Sequence, residues 1–140
     1  MTDAAYEWRG ALSDAEMVEL VRSHGGHAEE GWWDRVRAHS LGWVVARSPD
    51  GRVVGFVNVA WDGGDHAFLL DPKTRGSLQR RGIGTRLVAL AAQHAREAGC
   101  EWLHVDFEPE LERFYFDACG FRPTPAGLIH LPSLAARPRD

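Results

Sequence analysis

Apolar residues along this chain recur at helical spacing in some stretches and in strand-like runs in others. The switches between the two mark the elements. Met17, Leu20 and Val21 share one helical face behind Ser13-Asp14-Ala15-Glu16, a capping-box pattern, and Gly25-Gly26 ends the run. A second short helix is expected over Glu29 to His39, with Trp32, Trp33 and Val36 as its apolar side. Trp43 to Ser48 reads as a strand, Pro49-Asp50-Gly51 as a turn, and Val53 to Trp61 as a longer strand that completes a hairpin. After the turn Asp62-Gly63-Gly64-Asp65, a third strand begins at His66 to Asp71 and heads towards Arg75. Pro72 lacks an N–H, so this strand is expected to be interrupted there or to lie at an edge.

Gly82 opens the next helix, in which Ile83, Leu87, Leu90, Ala91, Ala95 and Ala98 share a face while Arg86, Gln93, Arg96 and Glu97 lie off it. Gly99 stops it, and Trp102 to Phe107 follows as a strand of the buried kind. A short helix is expected over Glu110 to Cys119, just after Pro109, then closing strands at Gly120-Phe121 and Leu128 to Leu131. The order is strand, two helices, three antiparallel strands, helix, strand, helix, strands. It predicts an α+β domain with a mixed sheet, in which the strand reached through the long helix runs parallel to its predecessor by a right-handed crossover. With no repeat and no dividing linker, residues 1–131 read as one domain and 132–140 as a flexible tail.

Composition narrows the class. A chain of 140 residues with 44% hydrophobic and 26% charged residues has the make-up of a single soluble globular domain. No apolar run approaches the ~20 residues of a membrane span. The start, Met1-Thr2-Asp3-Ala4-Ala5, has no basic region ahead of an apolar block, so no signal peptide is expected. Cys100 and Cys119 read as free thiols in the cytoplasm. A net charge of -4 argues against general nucleic-acid binding. His24-Gly25-Gly26-His27 could bring two imidazoles together, but no further ligand stands at zinc-like spacing, so no metal is expected.

The distribution of charge is more informative than its sum. Lys73, Arg75, Arg80, Arg81 and Arg86 lie in one stretch without an acidic residue. A charge run is ordinarily a solvated face. Here it contains Gln79-Arg80-Arg81-Gly82-Ile83-Gly84, which runs straight into an amphipathic helix. The first N–H groups of a helix lack internal partners, and the helix dipole favours negative charge there, so the combination suits a phosphate ligand. ATP or NAD is a weaker candidate, because the chain has neither a Gly-x-x-x-x-Gly-Lys-Ser/Thr loop nor a Gly-x-Gly-x-x-Gly fingerprint near a first strand.

Gln79-x-x-Gly82-x-Gly84, after a strand and opening a helix, resembles the (Gln/Arg)-x-x-Gly-x-(Gly/Ala) motif with which GNAT N-acetyltransferases bind the pyrophosphate of acetyl-CoA. Tyr115-Phe116-Asp117-Ala118-Cys119-Gly120-Phe121 is similar to that family's helix ending in Gly-Phe, and the element order agrees along nearly the whole chain. The resemblance implies a GNAT-like fold, with a mostly antiparallel sheet splayed between its fourth and fifth strands and flanked by helices. It implies that Lys73, Thr74 and Arg75 fall where the splayed strand bonds the pantetheine arm through its backbone. Gln79, Gly82, Ile83 and Gly84 would then wrap the pyrophosphate, with Arg80 and Arg81 supplying charge and Thr85 a hydroxyl. Three positions depart from the pattern. Gly76 stands where many members have Pro, Pro109 where many have Asn, and Phe116 where a Tyr general acid is frequent, with Tyr115 one place earlier.

The reaction so implied is direct attack of an amine of a small molecule or peptide on the acetyl thioester. It needs a base to free the amine of its proton, and Asp71, Asp106 and Glu108 are the candidates. It also needs an acid for the departing thiolate, for which Tyr115 is the candidate, and an N–H near Thr74 for the carbonyl oxygen. Trp32, Trp33 and Asp62 are candidates for the acceptor site, against the plainer reading of core and lid packing. The acids Asp106, Glu108, Glu110 and Glu112 would favour a cationic acceptor if they face the cleft. Relatives are often dimers, so a homodimer is compatible with the resemblance. The competing class is a non-catalytic acyl-CoA sensor or partner module.

Overall fold

A computed structural model describes residues 3–79 and 82–135, which form two compact units meeting between Phe107 and Glu108. The first unit carries β1 (Ala5–Trp8), α1 (Asp14–Ser23), α2 (Trp32–Val36), β2 (Ser40–Arg47), β3 (Val53–Trp61), β4 (His66–Thr74), α3 (Ile83–Glu97) and β5 (Trp102–His104). The five strands form one sheet in sequence order, antiparallel from β1 to β4, with β4 and β5 parallel across the α3 crossover.

Alternation along β3 places helices on both faces of the sheet. Gly55 faces Ile83 and Leu87 of α3. Phe56, the next residue, belongs to the cluster of Leu12, Met17, Leu20, Trp33, Val45 and Val53 beneath α1 and α2. The capping box forms as expected: Glu16 N–H donates to Ser13 Oγ at 3.1 Å and Ser13 N–H to Glu16 Oε1 at 3.1 Å. Asp14 on the first turn of α1 accepts from the N–H groups of Gly31 (2.8 Å) and Trp33 (3.3 Å), which sets α2 against α1.

Several expectations are corrected. The second helix starts three residues later than expected, because Gly31 has φ 85°, and its last turn, Arg37–His39, is 3-10. At Pro72 the expectation holds: β4 runs on to Thr74, but its ladder is interrupted at the proline, and among the described residues only β3 pairs with this part of the strand. Phe56 pairs with Lys73 and Asn58 with Leu70, so Asp71 and Pro72 together oppose Val57. That is a bulge, with Asp71 at φ 56°, and a bulge tolerates a proline that a regular ladder would not. On α3, Val88 is buried, whereas Leu90 is half-buried and Ala98 exposed. The strand expected over Trp102 to Phe107 is only three residues long and is not buried.

The second unit differs most from the sequence reading. Instead of an α-helix over Glu110 to Cys119 it has a 3-10 turn, Pro109–Leu111, and a π-helix, Arg113–Ala118. The π winding is visible in the Cys119 N–H, which bonds Phe114 O at 3.0 Å, five residues back. No strand forms at Gly120-Phe121 or at Leu128 to Leu131 among the described residues, and a 3-10 turn covers Leu131–Ser133. Leu128 and Ile129 are exposed. No helix among the described residues is long and apolar enough to cross a membrane.

Candidate active site

The site is built where β4 parts from β5. The two strands pair only over His66–Phe68 and Trp102–His104, so residues 69–74 of β4 pair with β3 alone among the described residues. This is the expected splay. The Arg75 N–H donates to Val54 O at 2.8 Å, towards β3. Backbone N–H groups alternate along a strand, so the Thr74 N–H faces away from β3 into the split. The bulge also resets side-chain parity. Leu70 and Lys73, three residues apart, both fall on the face of Asn58 and Phe56.

Beyond β4 the chain makes a 3-10 turn, Gly76–Leu78, and reaches Gly82, which caps α3 with φ 83° and no side-chain hydrogen bond. A Cβ placed on Gly82 would meet no atom within 4 Å among the described residues, so no packing contact requires glycine there, whereas its φ does. The first turn of α3 presents the N–H groups of Ile83, Gly84 and Thr85, and the first bond reaching back to the cap runs from Arg86 N–H to Gly82 O, 3.2 Å. The Ile83 side chain is buried, so only its backbone can serve a ligand. Gln79 is exposed, with its amide 3.5 Å from Thr74 O. Arg80 and Arg81 lie outside the described residues. Among the described residues, a helix N-terminus with glycine at its cap stands beside a strand edge where the Thr74 N–H faces away from β3, an arrangement of donors suited to a diphosphate with an extended arm.

Gly55 sets this geometry and was not picked out from the sequence. It pairs with Thr74, and its missing Cβ lets Ile83 and Leu87 press onto β3. A lone glycine within Val53-Val54-Gly55-Phe56-Val57 is the available signal of such a close approach. Gly76 is explained similarly: a Cβ there would stand 2.6 Å from Ser23 O, on the last turn of α1.

The other candidate residues divide. Asp71 is half-buried on the bulge, and burial raises its carboxyl above the usual range while Lys73 pulls it down. The Lys73 ammonium lies 5.6 Å from the Trp32 ring centroid, so these two candidates come together. Trp33 does not line a surface. It is wholly buried, edge-on to Trp43 and Phe56, each 5.0 Å away, with its indole N–H on Leu12 O at 3.1 Å. Asp62 belongs to the turn that leads into β4, at the opposite end of that strand from Thr74. Its carboxylate accepts from the Gly64 and His66 N–H groups, which lower its pKa. The Arg75 side chain is buried and bound to Glu19 and to Val53 O. Asp106, just past β5, and Glu108, in the second unit, are exposed, as are Glu110 and Glu112. Tyr115 is buried and lies edge-on to Phe114 and Phe121 within the second unit.

The Acetyltransferase (GNAT) family model matches residues 5–121, and the chain belongs to that family. Among solved structures it is similar to a GNAT family acetyltransferase of Streptococcus pneumoniae, with TM-score 0.75 and 23% identity over 90% of this chain and 96% of that one. It is also similar to glucosamine-6-phosphate N-acetyltransferase of Arabidopsis thaliana (TM-score 0.70, 16% identity, 89% and 97% covered). A third likeness is to the N-acetyltransferase YhbS of Escherichia coli, solved with CoA (TM-score 0.71, 18% identity, 87% and 70% covered). At these identities the likenesses define the fold. No curated protein sequence matches the chain.

Proposed function

We propose that this protein is a cytoplasmic N-acetyltransferase that moves the acetyl group of acetyl-CoA to a primary amine of a small molecule or peptide by direct attack, without a metal. The observation that carries the reading is the N-terminus of α3 at Gly82, set beside the unpaired edge of β4. In this reading the N–H groups of Gly82, Ile83 and Gly84 hold the diphosphate. The Thr85 hydroxyl, Gln79 and the charges of Arg80 and Arg81 assist. The backbone of Thr74 faces away from β3 and meets the pantetheine arm as an added strand would, its N–H serving the carbonyl oxygen as it gains charge, whereas the Lys73 backbone faces β3.

Asp71 is the preferred base. Burial raises its carboxyl, and a base whose pKa lies closer to neutrality takes up an amine proton more effectively. Asp106 and Glu108 are left as exposed acids. Trp32 is the retained acceptor-side candidate. Tyr115 is read as the acid for the thiolate on the resemblance alone.

The test is release of free thiol from acetyl-CoA in the presence of a panel of primary amines. Turnover with at least one amine is expected. Tight CoA binding with no turnover on any amine would instead mark a sensor, and absence of CoA binding would remove the reading.

A further inference from the structure

Arg75 lies in the cationic stretch, yet its guanidinium is already engaged inside the protein. Nη1 and Nη2 bond Glu19 Oε1 and Oε2 at 3.0 and 2.8 Å, and Nε and Nη2 bond Val53 O at 3.0 and 2.5 Å. The side chain is 8% exposed. A guanidinium has five N–H groups in one fixed plane, and here four of them are spent inward on a carboxylate and a carbonyl. Glu19 also holds Arg52, with Nη2 at 3.0 Å and Nε at 3.2 Å. One residue further, Gly76 passes α1 in backbone contact and turns its N–H to Ser23 Oγ at 3.4 Å. The chain that leaves β4 for the phosphate loop is thus clamped between β3 and α1.

We propose that Arg75 and Glu19 are a positioning pair: they fix where the loop of residues 76–82 departs from β4, and Arg75 contributes no side-chain contact to the ligand. This rests on the assignment of the α3 N-terminus as the diphosphate site. The packing of Ile83 and Leu87 on Gly55 fixes the far end of the loop, and the Arg75–Glu19 pair fixes the near end. With the near end released, the approach of the chain to the first amides of α3, those of Ile83, Gly84 and Thr85, is no longer fixed. Affinity then falls for a ligand that carries a diphosphate, while one that lacks it is spared.

The pair is tested by calorimetric titration of CoA and of S-acetylpantetheine, which has the arm without the diphosphate. The proteins are wild type, Arg75→Ala, Glu19→Gln, the double variant, and the exchange of Arg75→Glu with Glu19→Arg. Each single variant is expected to weaken CoA binding about tenfold and S-acetylpantetheine binding less than about twofold, and the double variant to lose no more than either, because coupled residues are non-additive. Partial recovery in the exchanged pair would add support. If Glu19→Gln binds CoA as wild type while Arg75→Ala does not, Arg75 touches the ligand and the proposal is overturned. Equal losses for both ligands also overturn it, since they indicate a general structural role. If Arg75→Ala does not fold, Glu19→Gln decides by the same criteria. If wild type binds no CoA, the diphosphate assignment fails separately. The pair is then judged by amide exchange of residues 76–79, which positioning requires to be faster in Glu19→Gln and which unchanged rates would refute.

Discussion

Gly55 and Ile83 are in contact through the absence of a side chain: a Cβ on Gly55 would stand 2.8 Å from Ile83 Cγ2, and 3.0 Å from Leu87 Cδ1. Ile83 is β-branched and buried in the first turn of α3, so it has little freedom to yield. Gly55→Ala is therefore expected to push the helix start away from Thr74. Overpacking of this kind costs about 1–3 kcal/mol. A lowered melting temperature together with weaker CoA binding is the expected result. A variant as stable as wild type with unchanged affinity would show that the contact does not set the site.

Gly82 tests the phosphate corner directly. Its φ of 83° lies in the left-handed region, which costs a residue with a Cβ about 1–2 kcal/mol. Gly82→Ala measures that strain alone. Gly82→Asp adds a negative charge where the diphosphate is expected, and acetyl-CoA binding should fall at least about tenfold further, or ~1.4 kcal/mol. Equal affinity of the two variants, followed by titration, would contradict the assignment.

Asp71 makes a pH prediction. Burial raises its carboxyl, and Lys73 only partly offsets this. As a base it must be ionised, so activity should rise with pH across a limb that lies above the ordinary carboxylate range. Asp71→Asn keeps a residue type that tolerates φ 56°, and should cost about a hundredfold or more in turnover with CoA affinity intact. A pH–rate profile unchanged by Asn would transfer the role elsewhere.

Tyr115→Phe removes one hydroxyl from a ring packed edge-on to Phe114 and Phe121. Cofactor affinity should stay as it is and turnover at neutral pH should fall. Unchanged turnover would mean that the tyrosine serves packing alone.

Glu16 governs acid stability. Its bidentate bond to Arg47, at 2.7 and 3.1 Å, is the main reason its carboxyl is lowered from 4.5 to about 2, with the Ser13 N–H helping against partial burial. The folded state prefers the ionised form. The stabilisation is thus complete above pH 4.5 and is lost as pH falls towards 2. Glu16→Gln should melt earlier at neutral pH and lose less between pH 5 and 2. Parallel melting curves for the two proteins over that range would exclude the pair as a contributor.

What was legible in the sequence was local. Ser13 and Glu16 announced α1, the Val-rich run fixed both ends of β3, and Gly82 marked the start of α3, because each signal acts within a few residues. What was missed depends on partners far along the chain. Trp33 looked like an acceptor wall beside Trp32, but only the approach of Trp43 and Phe56 makes it core. Arg75 was placed only by its backbone, at the pantetheine arm, and its side-chain partner Glu19 could not be read because it is 56 residues away. Pro72 suggested a break, and the register of β3 against β4 was needed to show a bulge. The π winding of Arg113–Ala118 leaves no trace in residue spacing that separates it from an α-helix.

The bared half of β4 has a further cost. A strand with unclaimed amides invites a stray strand from another molecule, the first step of aggregation. This one is poorly suited to such a guest. The kink at Asp71 breaks its straightness, Pro72 withholds a donor, and Lys73 adds a charged residue to the strand. The same residues that make the edge irregular thus discourage a whole polypeptide from pairing with it.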